Sequence, residues 1–139
     1  MRALVAALCL LALAARADPP GLPPPRDLGP PLTAAEFDAY ATGKTLSYAQ
    51  GGTIWGTEHY LPGQQVLWAF TDQPCEYGQW YADQGAICFV YDGKPDPNCW
   101  FFFHGATGLV ARFITGDIQL SEVGPAAAPM TCPGPLVGT

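Results

Sequence analysis

Basic residues are scarce in this chain, and their scarcity excludes several classes of function. The 139 residues include six Lys and Arg against twelve Asp and Glu, which gives a net charge of −6. Nucleic acid binding requires Lys and Arg side chains that neutralise phosphates, and a few scattered ones cannot do this. The same shortage disfavours an anionic membrane surface. We therefore expect neither nucleic acid nor an anionic membrane as a partner.

Side chains that commonly carry catalysis are also few. The chain has two serines, Ser47 and Ser121, and two histidines, His59 and His104, and it contains no Gly-x-Ser-x-Gly motif. Glu58 and His59 are adjacent on a predicted strand, so they point to opposite faces and cannot act together. An acid–base pair would require Glu58 and a carboxylate on another strand. We predict no catalytic residues, and a small hydrolase remains the weaker alternative.

Motifs for cofactors and metals are absent as well. The segment Gly51-Gly-Thr-Ile-Trp-Gly56 lacks the Gly-x-Gly-x-x-Gly spacing and precedes a strand rather than a helix, so it predicts no phosphate site. No Cys-x-x-Cys spacing occurs, which disfavours zinc in an exported chain. We predict no cofactor and no metal.

The N-terminus has the features of a secretory signal peptide. Arg2 is followed by a nearly continuous apolar run from Ala3 to Ala15, and Ala15-Arg16-Ala17 matches a cleavage site after Ala17. The run is too short for a permanent transmembrane helix. Cys9 lies inside this run rather than at a lipidation site. Residues 1–17 therefore predict a periplasmic or secreted protein, whose mature chain has four basic residues against twelve acidic ones.

Proline and glycine mark the limits of the folded domain. Seven of the fifteen residues in 18–32 are proline, which predicts an extended polyproline II linker that cannot join a sheet interior. Residues 124–139, rich in Pro, Gly and Ala, form a predicted tail. Residues 33–123 remain as one domain.

The domain begins with a capped helix. Thr33 and Glu36 have the spacing of a capping box, and Leu32 can pack on Phe37 as a hydrophobic staple. Gly43 provides the stop signal. Phe37, Tyr40 and Ala41 share one face, so this helix should lie on a sheet or close one end of a barrel.

After the helix, the sequence changes to short alternating segments separated by turn residues. This pattern predicts an all-β antiparallel meander of about eight strands. The segment 86–91 is apolar on both faces, which favours a small closed barrel, while a partly open barrel or a two-layer sheet remains an alternative. The predicted strands are 44–50, 53–60, 64–71, 77–82, 86–91, 99–103, 109–115 and 118–123.

Four cysteines remain after removal of the signal peptide, and an even number in an exported chain predicts two disulfides with three pairings open. A tight hairpin at Asp92-Gly-Lys-Pro95 would place Cys88 opposite Cys99, which leaves Cys75 for Cys132. Each bond would stabilise the fold by ~2–4 kcal/mol.

Aromatic residues provide the remaining functional signal. Four Trp, six Tyr and seven Phe exceed what a small sheet needs for packing, although small β domains also use aromatic side chains as core filler. We take Trp55, Tyr77 and Trp80 as candidate ligand-binding residues. The expected function is an exported, non-enzymatic binding module for a small ligand or an envelope protein, with an inhibitor of an envelope enzyme as the alternative.

The motifs also resemble those of an uncharacterised group of small exported proteins from Gram-negative bacteria. The resemblance covers residues 32–123 and implies the same domain limits, but it implies no activity, no catalytic residues and no partner for Cys132. It is carried by Gly43-Lys-Thr-Leu-x-Tyr48, Gly56-x-Glu58-x-Tyr60, Cys75-x-x-Gly-x-Trp80-Tyr81, Ile87-Cys-Phe-x-Tyr91 and Cys99-Trp100.

Overall fold

Eight antiparallel strands, each hydrogen-bonded to the one before it, form the body of the molecule. The computed structural model describes residues 28–125, Met130 and Cys132. The eighth strand also pairs with the first, so the sheet closes. The predicted all-β antiparallel meander is confirmed. The structure is the closed barrel rather than the partly open barrel or the two-layer sheet. The strands are β1 (Thr45–Gln50), β2 (Thr53–Tyr60), β3 (Gln65–Phe70), β4 (Glu76–Asp83), β5 (Ala86–Tyr91), β6 (Lys94–His104), β7 (Leu109–Phe113) and β8 (Gln119–Pro125), with a short 3-10 turn at Pro62–Gln64 between β2 and β3.

The N-terminal helix α1 (Ala34–Ala41) forms where its capping sequence predicts it. The Glu36 N–H donates to Thr33 Oγ1 at 3.3 Å, and the Thr33 N–H donates to Glu36 Oε2 at 2.8 Å. These reciprocal bonds satisfy two backbone donors that the first turn would otherwise leave unpaired. After the helix, Gly43 adopts a φ of 86°, a left-handed conformation that glycine reaches without strain.

Helix α1 closes one end of the barrel. The Phe37 ring is fully buried and contacts the rings of Tyr60, Trp80, Phe89 and Phe102, with centroid distances of 4.5–6.4 Å. Backbone hydrogen bonds fix the segments on both sides of the helix: the Leu32 N–H donates to the Phe102 carbonyl, and the Gly43 N–H to that of Tyr60. The apolar face predicted from the sequence therefore acts as a plug.

A partly buried carboxylate also joins the helix to the last two strands. The Tyr40 hydroxyl donates to Glu122 Oε2 at 2.9 Å, and the Leu109 N–H donates to the same oxygen at 2.7 Å. Gly108 leaves the space that the carboxylate occupies, since a Cβ there would lie 2.6 Å from Glu122 Cδ. This link holds α1 against β7 and β8.

The opposite end of the barrel has no helix across it in the described residues, and we call it the open end. Because successive strands run in opposite directions, the connections β1–β2, β3–β4, β5–β6 and β7–β8 all lie there. The two ends therefore differ, and among the described residues the interior is accessible from one side.

Strand β6 is longer than the sequence pattern predicts. The sequence pattern predicts a strand at 99–103, whereas the structure extends the strand back across Pro95 and Pro97, which lack the N–H that a ladder requires. In the structure β6 begins at Lys94, which pairs with Tyr91, and the register then shifts before Asn98. Both prolines lie within that irregularity, where β6 has extra residues and the ladder is interrupted. The bulge therefore admits them at a point where β6 has no regular ladder partners on β5.

Both disulfides are present. Cys88 and Cys99 are directly opposite in the β5–β6 ladder and are bonded, with a Cα–Cα distance of 4.0 Å. Cys75 is bonded to Cys132, with a Cα–Cα distance of 5.5 Å. This is the pairing that the hairpin register favoured, and it fits a protein of an oxidising compartment.

Several sequence predictions lie outside the described residues. The signal peptide 1–17 is among them, as are most of the Pro-rich linker 18–32 and most of the tail 124–139. Within the described residues, no helix is long and apolar enough to cross a membrane.

Candidate ligand-binding cavity

The barrel interior contains a cavity of about 310 Å³. An eight-stranded barrel is just wide enough either to fill with side chains or to hold one small ligand, and here the half nearer the open end is not filled. All eight strands contribute to its wall. The lining residues are Tyr48, Trp55, Glu58, Tyr60, Trp68, Phe70, Glu76, Phe89, Tyr91, Lys94, Asn98, Trp100, Phe102, Ala111 and Leu120.

Strand alternation and register bring two carboxyl groups to the same cavity. Trp68 on β3 is opposite Glu58 on β2 and also opposite Glu76 on β4, so these three side chains point inward from adjacent strands. The indole of Trp68 thus lies between the two acidic positions in the sheet.

Two inward-facing glycines make room for the rings. A Cβ on Gly56 would lie 2.5 Å from Trp68 Cζ2, and one on Gly78 would lie 2.7 Å from Tyr91 Cδ1. Both distances are well below normal contact, so any side chain at these positions would displace a ring. The glycines therefore set the positions of two aromatic walls of the cavity.

A bulge in β2 directs Trp55 toward the opening. Tyr48 pairs with Gly56 while Ala49 pairs with Ile54, which leaves Trp55 as an extra residue between them. Its ring contacts those of Phe70 and Trp100 at centroid distances of 6.2 and 6.4 Å. This group of three rings forms one side of the cavity mouth.

Glu58 is the most unusual residue of the cavity. It is 3 % exposed, and the Tyr91 hydroxyl lies 3.0 Å from Oε2 and 3.2 Å from Oε1. Burial raises the pKa of Glu58 to about 8; the hydrogen bond from Tyr91 opposes this, and the negative charge of Glu76 adds to it. Glu58 is therefore mainly a neutral carboxylic acid at pH 7.

A tyrosine pair lies deeper in the barrel. The hydroxyls of Tyr48 and Tyr60 are 3.0 Å apart, and both side chains are buried. Burial raises the pKa of each phenol, so both stay neutral and serve as donor and acceptor for each other. Together with Glu58 and Tyr91 they provide the polar groups of an otherwise aromatic interior.

The cavity mouth has an ion pair. Lys94 Nζ lies 2.5 Å from Glu76 Oε1, with the two side chains 54 % and 28 % exposed. A pair this exposed is screened by solvent and contributes little to stability. Its position allows it to open without disturbing the core.

The three predicted ligand-binding residues have different positions. Trp55 lines the cavity. Trp80 is 3 % exposed and packs against Phe37 beneath the helix, so it belongs to the core. Tyr77 is 39 % exposed and does not line the cavity, because residues of β4 alternate and its neighbours Glu76 and Gly78 face inward. The structure thus brings one of the three to the cavity.

The sequence analysis did not identify Trp68, Tyr91 or Trp100 as cavity residues, and it considered Glu58 only as half of a catalytic pair. Alternation along β2 could have placed Glu58 on the inner face with Tyr60. The partner across the barrel could not have been found in this way, because Tyr91 meets Glu58 through closure of the barrel and not through neighbouring strands.

The remaining polar candidates do not converge. Ser47 Oγ bonds to Thr57 Oγ1 at 2.9 Å, and His59 Nδ1 to Thr45 Oγ1 at 2.7 Å, and none of these four residues lines the cavity. His104 is exposed near α1. Among the described residues no cluster of His, Cys, Asp and Glu could hold a metal ion.

No protein-family model, curated protein or solved structure matches this chain.

Proposed function

We propose that the protein is an exported, non-enzymatic binding module that holds a small, ring-containing molecule inside its barrel. The single observation that carries this proposal is the unfilled aromatic cavity at the open end. Its volume of about 310 Å³ is in the range of small-ligand pockets, and such sites combine apolar walls with a few polar groups that fix orientation.

The arrangement of the walls supports a flat, mostly apolar ligand. Indole and phenyl rings surround the cavity, and offset or edge-on contact with them favours another ring. Helix α1 closes the far end, so the ligand would enter between Trp55, Trp100 and the Glu76–Lys94 pair. Entry at the open end, with the buried polar groups of Glu58, Tyr48 and Tyr60 deeper in the barrel, defines a preferred orientation.

The compartment is part of the proposal. The two disulfides, the predicted signal peptide 1–17 and the resemblance to exported bacterial proteins all support a periplasmic or secreted protein. A small barrel in that compartment can capture a molecule without any cofactor.

The test uses N-phenyl-1-naphthylamine, an uncharged dye that fluoresces in apolar surroundings. We expect saturable fluorescence with the mature protein. The variant Ala111→Phe, which places a ring in the cavity, should weaken binding by about tenfold or more. Ala39→Phe adds the same ring on the exposed side of α1 and should leave binding unchanged.

Two outcomes would contradict binding in the cavity. One is the absence of saturable fluorescence with the wild type. The other is equal binding by the two variants, provided that circular dichroism shows both to be folded. Leu120→Phe, on the strand paired with Ala111, is the second blocking variant if Ala111→Phe does not fold.

A protein partner is the second candidate, and the exposed apolar side chains support it. Ile54, Phe70 and Ile114 are 51 %, 42 % and 52 % exposed, and all lie at or next to connections of the open end. An inhibitor of an envelope enzyme could use such a rim. Recovery of the protein as a bare monomer from its envelope fraction would count against this candidate.

A further inference from the structure

We propose that the ligand carries a protonated amine, and that this ammonium group binds to the carboxylate of Glu58 among the cavity rings. This inference rests on the proposed function, because it names the chemical class of the molecule that the cavity takes. It follows from the hydrogen bonds of Glu58, from the ring-lined wall and from the net negative charge of the chain.

Glu58 has capacity for a further partner. A carboxylate has two oxygens with about four acceptor positions, and a single hydroxyl donates one proton. The Tyr91 hydroxyl is within 3.2 Å of both oxygens, so it cannot bond fully to both. In the described part of the chain, no Lys, Arg or His forms an ion pair with Glu58. A buried carboxyl of this kind pairs well with a cationic donor that enters with the ligand.

The walls suit an organic cation better than a metal ion. Aromatic faces attract cations through the ring quadrupole, most strongly when the site excludes water. Trp68 lies opposite Glu58 in the ladder, and Tyr91 donates to it, so two rings border the carboxylate. A metal ion would need several oxygen or nitrogen ligands, and among the described residues Glu58 belongs to no group of His, Cys, Asp and Glu that could hold one.

The charge of the whole chain points in the same direction. Acidic residues outnumber basic ones and give a net charge of −6, so cations are attracted to the protein and anions are repelled, while Glu76 at the mouth is paired with Lys94. A neutral ligand that only accepts a hydrogen bond from Glu58 would gain nothing from this charge. The groups facing Glu58 that can titrate or carry charge are Tyr48 of β1, Tyr60 of β2, Glu76 of β4, Tyr91 of β5 and Lys94 of β6; β3, β7 and β8 contribute Trp68, Ala111 and Leu120, which do neither.

Binding of an amine changes the protonation of Glu58. With a pKa of about 8 the empty protein holds this proton at neutral pH, and an incoming ammonium group favours the ionised form. The proton leaves to solvent, the ligand keeps its own, and the result is an ion pair. Between about pH 6 and pH 7, where Glu58 is mostly protonated and the amine is fully charged, affinity should rise about tenfold.

The experiment compares two probes of the same shape, 2-phenylethylamine and 2-phenylethanol, by calorimetry on the intact mature protein. We expect the amine to bind at least about tenfold more tightly than the alcohol. Measurement in buffers of different ionisation enthalpy should show about one proton released per amine bound near pH 6.5, and none for the alcohol.

Variants assign this preference to one residue. Glu58→Gln keeps the shape of the side chain and should abolish both the amine preference and the proton release, while alcohol binding stays the same. Glu76→Gln, the matched change at the mouth, should weaken the amine only slightly and keep the proton release. If Glu58→Gln does not fold, Tyr91→Phe serves instead: it removes the hydrogen bond and should leave the proton release in place.

Several results would overturn the inference. These are equal binding of the two probes by the wild type, an amine preference that survives in Glu58→Gln, and amine binding without proton release. If neither probe binds while N-phenyl-1-naphthylamine does, the amine inference fails and the proposed function stands. If no compound binds, both fail.

Discussion

One inward-facing carboxyl group, that of Glu58, is buried in the interior of the barrel. Glu58 lies on β2 at a position where strand alternation requires an inward side chain, and closure of the barrel places it beside Tyr91. A leucine would fill this position with a lower desolvation cost. A buried acid is therefore better explained by binding than by stability.

Stability should fall as pH rises, and Glu58 should be the cause. The group has a pKa of about 8 when folded and an ordinary value of 4.5 when unfolded, so the folded state binds the extra proton between these values. Its contribution to stability is complete below pH 4.5 and is lost as pH rises to about 8. By linkage, the loss amounts to about 5 kcal/mol at most.

Urea unfolding at about pH 4.5, 6 and 8 measures this effect. The free energy of unfolding of Glu58→Gln should not show this decrease. The stability of the variant relative to the wild type should therefore increase as pH rises. Glu76→Gln, whose side chain is 28 % exposed, should follow the wild type. If the free energy of unfolding depends on pH in the same way for the wild type and Glu58→Gln, then burial of Glu58 is not the cause of the pH dependence.

At the scale of single residues, sequence reasoning reached part of the site. Trp55 was predicted because it lies next to a glycine on a strand, and the bulge at that point directs it to the cavity mouth. Tyr77, which also lies next to a glycine on a strand, is on the outer face, and Trp80, the third candidate, lies under α1. The sequence does not show which aromatic residues meet across a closed barrel, since that depends on strand stagger.

The elements were more predictable than the site, and the helix most of all. Its capping box and glycine stop are local signals, and its apolar face required a surface to cover. The start of β6 was missed because two prolines usually end a strand, and only the bulge opposite Val90 accommodates them. Local chemistry thus determines where elements begin, except where tertiary pairing permits an irregularity.

The plug formed by α1 depends on one side chain. Replacement of Phe37 by Ala removes a ring that contacts four others and leaves a cavity beneath the helix. We expect a loss of about 3–5 kcal/mol in the free energy of unfolding. Tyr81→Ala, at a strand position that is 40 % exposed, is the matched control and should cost less than about 1 kcal/mol.

Denaturant unfolding of the two variants provides the measurement. A small effect of Phe37→Ala, similar to that of Tyr81→Ala, would mean that the helix is not a structural part of the barrel. Binding of the dye by a folded Phe37→Ala variant would in addition show whether the end plug is needed for a closed pocket.

At the scale of the whole molecule, the small size of the domain limits the hydrophobic core that can stabilise it. About ninety residues form the barrel and its helix, and so short a domain buries a limited core. The barrel leaves part of that core empty for the cavity and places a neutral acid in it, which lowers stability further. Closure of the sheet removes exposed strand edges, and the disulfides compensate for the smaller core.

The two disulfides should differ in their contribution. Cys88–Cys99 closes a loop of 11 residues within strands that are already paired, whereas Cys75–Cys132 closes one of 57 and holds a residue beyond the last strand. From loop entropy alone, the first should stabilise by about 3 kcal/mol and the second by about 4 kcal/mol. Paired serine variants, Cys88→Ser with Cys99→Ser and Cys75→Ser with Cys132→Ser, separate the two.

Thermal and denaturant unfolding of these variants measures the contribution of each disulfide to stability. Dye binding by the same variants tests whether either disulfide is needed for the cavity. Neither sulfur pair lines the cavity, so a variant that remains folded should bind the dye as the wild type does, at a lower melting temperature. If removal of Cys88–Cys99 lowers the melting temperature more than removal of Cys75–Cys132 does, strain or order within the β5–β6 hairpin outweighs loop entropy. Loss of binding in a folded variant would instead mean that the disulfide positions the cavity wall, and Tyr91 on β5, three residues from Cys88, would be the group displaced.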